Sequence, residues 1–439
     1  MPSDEVERDT IAAIATPPGR GGIGVIRLSG AAVPGIAAQV LGRLPQPRRA
    51  TLAAFRDARG EPQDRGIALY FPPPRSYTGE HVLELHGHGG PLVLQSVLRA
   101  CLDAGARLAE PGEFTRRAFL EGKLDLAQAE AVADLIDAST QEAARSALRS
   151  LAGEFSAAIE TLAGGLVELR ALTEAMLDFP EEEVDAVQRD DAAARLDALE
   201  AQLDGILAKS RQGSLLRSGI HVVLAGRPNV GKSSLLNRLA GEERAIVTPV
   251  PGTTRDALRE AIQIEGVPLV LVDTAGLRVA SDAVERLGIE RTQQELQRAD
   301  LVLMVREAGR EDPPPVLPAG AQRVDVYNKS DLAPGFRAPA GALAVSAKTG
   351  ENLDALRRTI LAAAGWSSTG ESVFLARERH LRALEQARAH LGEARGQLAS
   401  WELLAEELRL AHAALAGITG EFSADELLGE IFSRFCVGK

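Results

Sequence analysis

The stretch that most constrains the fold is a glycine-rich loop at residues 226–234, which reads Gly-Arg-Pro-Asn-Val-Gly-Lys-Ser-Ser. An apolar run at residues 220–225 precedes it and predicts a buried strand, and residues 235–240 have the apolar spacing of a helix. A strand, a glycine-rich loop and a helix in this order are the context in which Gly-x-x-x-x-Gly-Lys-Ser binds nucleotide phosphates. The sequence therefore predicts a P-loop.

Each residue type in this loop has a chemical reason to be there. Gly226 and Gly231 let the backbone wrap closely around phosphate oxygens, and the following helix N-terminus supplies further donors. Lys232 can reach the β- and γ-phosphates, and Ser233 can be a ligand of Mg²⁺.

Two further motifs suit the phosphates and the metal ion. The first is Pro-Gly-Thr-Thr-Arg-Asp at residues 251–256, in which Thr254 can complete the Mg²⁺ shell and contact the γ-phosphate. The second is Asp-Thr-Ala-Gly at residues 273–276, at the end of a predicted strand. Asp273 suits an outer Mg²⁺ contact, and the Gly276 N–H suits the γ-phosphate.

The remaining motifs select the base. Asn-Lys-Ser-Asp at residues 328–331 follows another predicted strand, and the Asp331 carboxylate can accept hydrogen bonds from guanine N1–H and the 2-amino group. Adenine offers neither donor, so the motif favours GTP over ATP. Ser-Ala-Lys at residues 346–348 can support the base from its other side. The predicted GTP-binding residues are Asn229, Val230, Gly231, Lys232, Ser233, Ser234, Thr248, Pro249, Val250, Pro251, Gly252, Thr253, Thr254, Asp273, Thr274, Ala275, Gly276, Asn328, Lys329, Asp331, Ser346, Ala347 and Lys348.

The residue that orients the attacking water is not evident from these motifs. Ras-like enzymes place a glutamine after Asp-x-x-Gly, whereas this chain has Leu277. Either hydrolysis is slow or another residue positions the water, and Glu285 and Asp282 are the acidic candidates. A monovalent cation near the phosphates could supply the charge of a missing arginine finger.

Composition limits the class of protein. The 439 residues carry a net charge of −12, which argues against a general nucleic-acid coat but leaves room for a local basic patch. Two cysteines are too few for a disulfide framework. The acidic N-terminus lacks the apolar core of a signal peptide, and no apolar run reaches the ~18 residues of a membrane span. We therefore expect a cytoplasmic protein without a membrane span.

Changes in pattern along the chain predict a multidomain architecture of α/β and all-α parts. Residues 1–121 predict an α+β domain. Residues 122–217 and 366–439 have long amphipathic helical periods and predict one discontinuous helical domain. Residues 218–365 alternate strand and helix patterns, which predicts an inserted, Ras-like P-loop domain with a mostly parallel sheet. An acidic, proline-containing stretch at residues 178–185 predicts a solvated loop.

The first domain carries more detailed local signals. The pattern predicts strands at residues 10–16, 24–28 and 82–86, a turn at 87–90, and a helix at 92–102.

Longer segments resemble a known family. They include Asp-Thr-Ile-Ala-Ala-Ile-Ala-Thr-Pro-Pro-Gly-Arg-Gly-Gly-Ile-Gly-Val-Ile-Arg-Leu-Ser-Gly at residues 9–30 and Pro-Gly-Glu-Phe-Thr-Arg-Arg-Ala-Phe-Leu at 111–120. The helical run at 123–136 and the ending Phe-Cys-Val-Gly-Lys at 435–439 complete the set. Over nearly its full length the chain resembles the tRNA-modification GTPase MnmE (TrmE) family.

The resemblance implies an activity and partners. It implies a homodimer formed through the N-terminal domain, which binds 5-formyl- or 5,10-methylene-tetrahydrofolate as the one-carbon donor. It also implies a heterotetramer with an FAD-dependent protein of the MnmG (GidA) family. Such assemblies add an aminomethyl or carboxymethylaminomethyl group at C5 of the wobble uridine of certain tRNAs.

The resemblance assigns tetrahydrofolate contacts to Arg27, Glu84, Lys123 and Lys439. Arginine and lysine suit the glutamate carboxylates, and Glu84 can accept from pterin N–H groups. The plain alternatives are an exposed strand residue for Arg27 and a strand-edge pair for Glu84. Cys436 matches a cysteine that the family requires for modification. A thiolate is a competent nucleophile, which suits such a role. The alternative is a free thiol in the C-terminal tail with no role.

The resemblance also implies K⁺ in place of an arginine finger, held at Asn229, Thr248, Val250 and Thr253. It implies that Glu285 is the catalytic residue that acts on the attacking water. It also implies that hydrolysis depends on pairing of the two GTPase domains of the dimer.

The chain departs from the family at one strand, because residues 301–305 run into Arg306 where the usual aspartate is expected. The region 306–341 is short and proline-rich. The rival function is a ribosome-assembly switch GTPase of the Era or Der type, which shares this P-loop, but no basic RNA-binding module of the KH type is evident. A folate-binding scaffold with an incidental GTPase is a third interpretation.

Overall fold

The computed structural model describes residues 9–178, 186–242, 259–273, 294–310, 322–367, 373–421, 425–433 and 435–438. The chain divides into two compact units. Unit 1 comprises Met1–Ala133 and Ala416–Lys439, and unit 2 comprises Asp134–Leu415. The three-domain boundaries expected from the sequence remain a prediction. Within the described ranges, no helix combines the length and apolar character needed to cross a membrane.

Unit 1 is built on a six-stranded sheet in the order β3-β4-β5-β2-β1-β6. Its neighbouring strands are antiparallel except for the pair β1 and β6. The strands are β1 (Ile11–Ile14), β2 (Gly21–Ser29), β3 (Thr51–Arg56), β4 (Pro62–Phe71), β5 (Val82–Gly89) and β6 (Arg107–Leu108).

The predicted strands of unit 1 are confirmed, but the predicted turn at 87–90 is wrong over most of its length. Strand β5 continues to Gly89 because Gly87 pairs with Gly24 and Gly89 pairs with Gly21 across a register shift. The glycines that predicted a turn therefore lie in a strand, where the register shift and the close approach of the two backbones favour residues without a side chain.

Helices α1 and α2 cover one face of this sheet, and Phe114 of helix α3 packs against Ile11 and Ala13 on the other face. Alternation buries Ile26 and Leu28 of β2 beneath Ile36 of α1 and Leu94 of α2, so these residues form one apolar core. The helices of unit 1 are α1 (Val33–Leu41), α2 (Pro91–Asp103), α3 (Glu113–Leu120), α4 (Leu126–Asp137), which runs on into unit 2, and α12 (Asp425–Ser433). A second apolar cluster joins α4 to α12. It contains Leu126, Ala129, Leu428, Ile431, Phe432 and Phe435.

Unit 2 contains the long helices that the 3.6-residue period predicted. Thr140 caps one of them, since its hydroxyl accepts from the Ala143 N–H at 3.2 Å. The helices are α5 (Gln141–Leu151), α6 (Glu154–Asp178), α7 (Ala186–Ser218), α10 (Glu378–Gly396) and α11 (Trp401–Thr419), which ends in unit 1.

Unit 2 also contains an α/β segment, which runs from residue 220 to residue 363. One carboxylate, that of Asp134, joins the two ends of this segment to helix α4. Asp134 accepts from Arg217 Nε at 3.0 Å, in the last turn of α7, and from Arg377 Nη2 at 2.8 Å, just before α10. The Asp134 side chain is only 8% exposed. The two points at which the chain enters and leaves the α/β segment are therefore held by the same buried carboxylate, that of Asp134.

The α/β segment contains a second six-stranded sheet in the order β12-β11-β10-β7-β9-β8. All its pairs are parallel except β8 with β9, which confirms the predicted mostly parallel sheet. Its central strand β7 is buried on both faces, as parallel strands between helices are. The elements are β7 (Ile220–Ala225), α8 (Lys232–Glu242), β8 (Arg259–Ile264), β9 (Val267–Asp273), β10 (Leu301–Glu307), β11 (Arg323–Asn328), β12 (Ala342–Ala344) and α9 (Leu353–Ala363).

Candidate functional site

The predicted P-loop connects β7 to α8, as the sequence indicated. Gly226 has φ +153°, and a Cβ there would lie 2.2 Å from the Val305 carbonyl oxygen. Gly231 has φ +91°, and a Cβ there would lie 2.3 Å from Asn328 Nδ2. The neighbouring strands thus require both glycines, in addition to any need for phosphate to approach the backbone.

Lys232 lies at the start of α8 and is 4% exposed. Its ammonium donates to the carbonyl oxygens of Gly226 at 3.0 Å and Arg227 at 2.9 Å. The ammonium is therefore held at the loop by two carbonyl oxygens, and it can exchange these acceptors for phosphate oxygens.

The two predicted Mg²⁺ contacts that the structure describes lie together. Ser233 donates to Asp273 Oδ2 at 2.5 Å, because parallel pairing of β7 with β9 brings the end of β9 beside the P-loop. A hydroxyl and a carboxylate are the hard oxygen groups that Mg²⁺ prefers, so this pair fits the ion.

Asn328 connects the segment that is predicted to bind the base to the P-loop. Its Nδ2 donates to the Val230 carbonyl at 3.0 Å, and its Oδ1 accepts from the Ala347 N–H at 3.0 Å. Asn328 is 2% exposed, so these bonds are shielded from water. One side chain therefore fixes the spacing between the phosphate-binding loop and residues 346–348.

The Asp331 carboxylate, which the sequence predicts to select guanine, is oriented by a partner from the next motif. Ser346 donates to Asp331 Oδ1 at 2.7 Å and accepts from the Thr349 N–H at 3.1 Å. The structure thus brings Asp331 and Ser346 together as the sequence predicted, with Lys348 exposed beside them.

Sequence reasoning missed Glu307. Strand β10 does not end at Arg306 but continues one residue to Glu307, whose Oε2 lies 3.1 Å from Lys329 Nζ. An acidic residue therefore ends this strand one position after Arg306, and the missing aspartate at Arg306 remains as the sequence gives it. The sequence carried no local signal for this contact, because it depends on the register that places Glu307 opposite Asn328.

Several predicted site residues lie outside the described residues, and Asn229 is the described member of the K⁺ set. Asn229 is exposed and has φ +65°. The predicted residues outside the described ranges are Thr248, Pro249, Val250, Pro251, Gly252, Thr253, Thr254, Thr274, Ala275, Gly276, Glu285 and Lys439.

Unit 1 pairs two of the predicted folate residues with each other. Arg27 and Glu84 are register partners on β2 and β5, and Arg27 Nη2 lies 2.9 Å from Glu84 Oε1. His86 Nε2 lies 3.2 Å from the other carboxylate oxygen. The Arg27 guanidinium also lies over the Tyr77 and Phe114 rings, at 5.3 and 5.8 Å. Arg27 is therefore held by a carboxylate and by cation–π contacts with two aromatic rings.

The remaining described candidates are Lys123 and Cys436. Lys123 donates to the Pro74 carbonyl at 2.9 Å. Cys436 is an exposed free thiol, and its carbonyl accepts from the Gly112 N–H at 3.4 Å. Gly438 lies so close to strand β1 that a Cβ would be 2.6 Å from the Ile14 carbonyl.

The P-loop, the hydroxyl–carboxylate pair beside it, the Asn-Lys-Ser-Asp motif and the mostly parallel sheet together are those of a P-loop GTPase. A family model described as the MnmE helical domain matches residues 126–436, and one described as the GTP-binding protein TrmE N-terminus matches residues 10–123. The chain belongs to the MnmE family of tRNA modification GTPases.

Curated relatives agree with this assignment over the whole chain. The tRNA modification GTPase MnmE of Azoarcus sp. (strain BH72) is 63% identical over 443 residues, which cover 98% of each chain. That of Thiobacillus denitrificans is 58% identical over 444 residues, again covering 98% of each. Among solved structures, the FeoB G-domain of Methanococcus jannaschii matches 33% of this chain and 98% of its own at 24% identity, with a TM-score of 0.26.

Proposed function

We propose that this protein is a K⁺-stimulated GTP hydrolase that, with an FAD-dependent partner, modifies C5 of the wobble uridine of certain tRNAs. The observation that carries the GTPase part is the oriented Asp331 carboxylate, which Ser346 holds beside a P-loop fixed by Asn328. The tRNA part is supported by the relatives, which are named tRNA modification GTPases.

In this proposal the phosphate site acts by position and charge. Lys232 exchanges its carbonyl partners for phosphate oxygens, and Ser233 with Thr254 holds Mg²⁺ while Asp273 orients the Ser233 hydroxyl. Mg²⁺ neutralises charge that develops on the phosphates. The other residues predicted to bind GTP keep the roles that their motifs give them.

A second cation replaces an arginine finger. Asn229 offers a side-chain carbonyl oxygen from the P-loop, and Thr248, Val250 and Thr253 complete the K⁺ site. Glu285 accepts the proton of the attacking water, which Leu277 cannot do. Pairing of two GTPase domains in a homodimer brings these groups into register.

The tRNA chemistry belongs to unit 1 in this proposal. Arg27, Glu84, Lys123 and Lys439 bind 5-formyl- or 5,10-methylene-tetrahydrofolate, which supplies the one-carbon unit. The Arg27–Glu84 pair and its aromatic walls support this assignment, since a charged pair can re-form its bonds with a pterin and a carboxylate. The exposed Cys436 thiol takes part in the modification.

The partners follow from the same proposal. The protein acts in the cytoplasm as a heterotetramer with an MnmG (GidA) family protein that holds the FAD. The domain division is 1–121 for dimerisation and folate, 122–217 with 366–439 for the helices, and 218–365 for GTP.

The first test compares GTP turnover by the full chain in K⁺ and in Na⁺ at equal ionic strength. We expect at least about ten-fold faster turnover in K⁺, because a cation at the phosphates replaces a charge that is otherwise missing. Asn229→Ala should lose this difference while retaining GTP binding. Equal rates in the two salts would favour an ordinary switch GTPase.

The second test separates modification from nucleotide binding. Glu285→Ala should bind GTP normally but fail to hydrolyse it, and a reconstituted reaction with tRNA, folate and the FAD protein should give no modified uridine. Full modification by this variant would favour a folate-binding scaffold whose GTPase is incidental.

A further inference from the structure

Unit 1 carries a local excess of positive charge that contrasts with the chain's net charge of −12. Between helix α1 and strand β5, residues 43–75 contain seven arginines against three acidic residues and no lysine. All seven arginines are exposed. We call this set the arginine edge, and it consists of Arg43, Arg48, Arg49, Arg56, Arg59, Arg65 and Arg75.

Within the described part of the chain, no arginine of this set is paired with a carboxylate. The bonds that their side chains make go to neutral oxygens: Arg49 to Gln46 Oε1 at 3.0 Å, Arg56 to the Gly60 carbonyl at 2.8 Å, and Arg48 to the Arg75 carbonyl. Elsewhere in the same unit, Arg107 and Arg117 are both bonded to Glu113. The charge of the arginine edge is therefore available to a partner.

Two of the three acidic residues in this region, Asp57 and Asp64, already accept hydrogen bonds from groups other than the seven arginine side chains. Asp57 accepts the N–H groups of Arg59 and Glu61, both at 2.9 Å, and Gln63 Nε2 at 3.0 Å. Asp64 accepts the His88 N–H at 2.8 Å and His88 Nδ1 at 2.7 Å, and its side chain is 8% exposed. These two carboxylates are therefore already hydrogen-bonded, while the seven arginines of the region are exposed.

The arginines follow an edge of the sheet. Strand β3 is the outermost strand, Arg49 lies just before it and Arg56 ends it, a separation of roughly 23 Å at about 3.3 Å per strand residue. Arg59 lies in the β3–β4 turn, and Arg65 is on β4 opposite Ala54. A nucleic-acid strand presents several phosphates over such a length.

We propose that the arginine edge binds the phosphate backbone of RNA, and this rests on the proposed function, in which tRNA is the substrate. Arginine suits this role because its planar guanidinium binds phosphate with two parallel hydrogen bonds. An arginine stretch at residues 211–217 is the weaker RNA surface, since Arg211 lies 2.9 Å from Glu385 and Arg217 lies 3.0 Å from Asp134.

The test measures binding of a tRNA transcript to the full chain over a range of salt concentrations. The variant carries Arg49→Gln, Arg56→Gln and Arg65→Gln. Each lost phosphate contact should lower the slope of log affinity against log salt by about 0.7 to 0.9, so three should give roughly 10- to 100-fold weaker binding at low salt.

The matched control removes the same charge from arginines of unit 2 that are exposed but paired within their helices. It carries Arg145→Gln, Arg195→Gln and Arg409→Gln, whose partners are Glu142, Asp191 and Glu406. We expect its affinity and salt slope to match the unchanged chain. GTP turnover without tRNA should be the same in all three proteins.

The outcomes separate this inference from the proposed function. Failure of the unchanged chain to bind tRNA would contradict the proposed function itself. Equal affinities and slopes in the two triple variants would overturn the RNA surface. So would a variant that binds tRNA normally but loses dimerisation or an acidic protein partner, because the edge would then be a protein interface.

Discussion

The carboxylate of Glu307, the last residue of β10, lies 3.1 Å from the ammonium of Lys329, in the motif that is predicted to bind guanine. Lys329 has φ +64°, and the adjacent Asn328 is the register partner of Glu307. Hydrogen bonding from Lys329, with a further contribution from Arg310, lowers the pKa of Glu307. Glu307 therefore carries its negative charge at neutral pH and holds Lys329 from outside the motif.

Replacing Glu307 should change nucleotide affinity more than the rate of the chemical step. Glu307→Gln should weaken binding of GTP and GDP alike, by about two- to five-fold, because the base is held equally in the ground state and the transition state. Nucleotide titration and steady-state turnover measure this as a raised KM with kcat almost unchanged.

The control for this change is Asp354→Asn, which breaks an exposed ion pair with Arg357 away from the site. It should leave KM and kcat unaltered. A fall in kcat at constant KM in Glu307→Gln would mean that the carboxylate does not act through nucleotide binding.

Gly231→Ala should abolish GTP binding, with an affinity at least about 100-fold lower, since the new methyl would displace the Asn328 side chain in addition to straining a left-handed backbone. Loss of the Asn328 bonds should also lower the melting temperature of the α/β segment. Calorimetry with and without GTP measures both effects.

A neighbouring glycine gives the comparison. Gly241, in the last turn of α8, has open space around its Cβ position. Gly241→Ala should therefore be neutral or stabilising by up to about 1 kcal/mol. If Gly231→Ala binds GTP with unchanged affinity, the Asn328 hydrogen bonds do not determine the conformation of the P-loop.

Asp134→Ala should destabilise unit 2 by about 3–5 kcal/mol, because it leaves two arginines without their buried carboxylate. Trp366 and Trp401 both lie in unit 2, so urea unfolding followed by tryptophan fluorescence reports on it. Asp204→Ala removes an exposed ion pair with Arg388 and should cost at most about 1 kcal/mol. Equal losses in the two variants would contradict a special role for Asp134.

Acid should weaken unit 1 through Glu113. Burial alone would raise its pKa, but hydrogen bonds from Arg107, the Glu110 N–H and Arg117 outweigh burial and lower the pKa from 4.5 to about 2. Because the folded pKa is the lower one, the stabilisation is present above about pH 4.5 and is lost as the pH falls towards 2. The shift corresponds to at most about 3 kcal/mol of folding free energy, and solvent screening of the Glu113 ion pairs reduces this.

Hydrogen exchange on peptides from β1 and α3, followed between pH 6 and pH 2.5, measures this loss. Glu113→Gln should be less stable at pH 6 and should lack this part of the acid dependence. Glu110→Gln, at an exposed position, should follow the unchanged chain. A Glu113→Gln profile parallel to that of the unchanged chain would assign the acid sensitivity elsewhere.

Local patterns explain why much of this structure could be predicted. The P-loop, its flanking strand and helix, and the Asp331–Ser346 pair lie in short motifs whose residue types already carry the geometry. The parallel sheet followed from alternating strand and helix patterns. Glycines in β5 misled the turn prediction, because pairing with glycines of β2 decides their conformation and pairing is not visible in a local pattern.

Long-range ion pairs could not be predicted. Asp134 and Arg377 are 243 residues apart, and nothing in either neighbourhood identifies the other. Glu307 and Lys329 meet because two parallel strands end side by side, which depends on register. Single charged residues on a predicted helix or strand end have many candidate partners, and only the packed fold selects among them.

The division of the chain has a consequence for its biosynthesis. Unit 1 is assembled from Met1–Ala133 and Ala416–Lys439, and Val437 bridges to Pro111 while α12 packs against α4. During translation, the early part of unit 1 must leave the ribosome without α12 and wait while all of Asp134–Leu415 is made. Unit 2 can therefore complete its fold first, and the cluster at Leu126 and Ala129 stays uncovered until the last helix emerges.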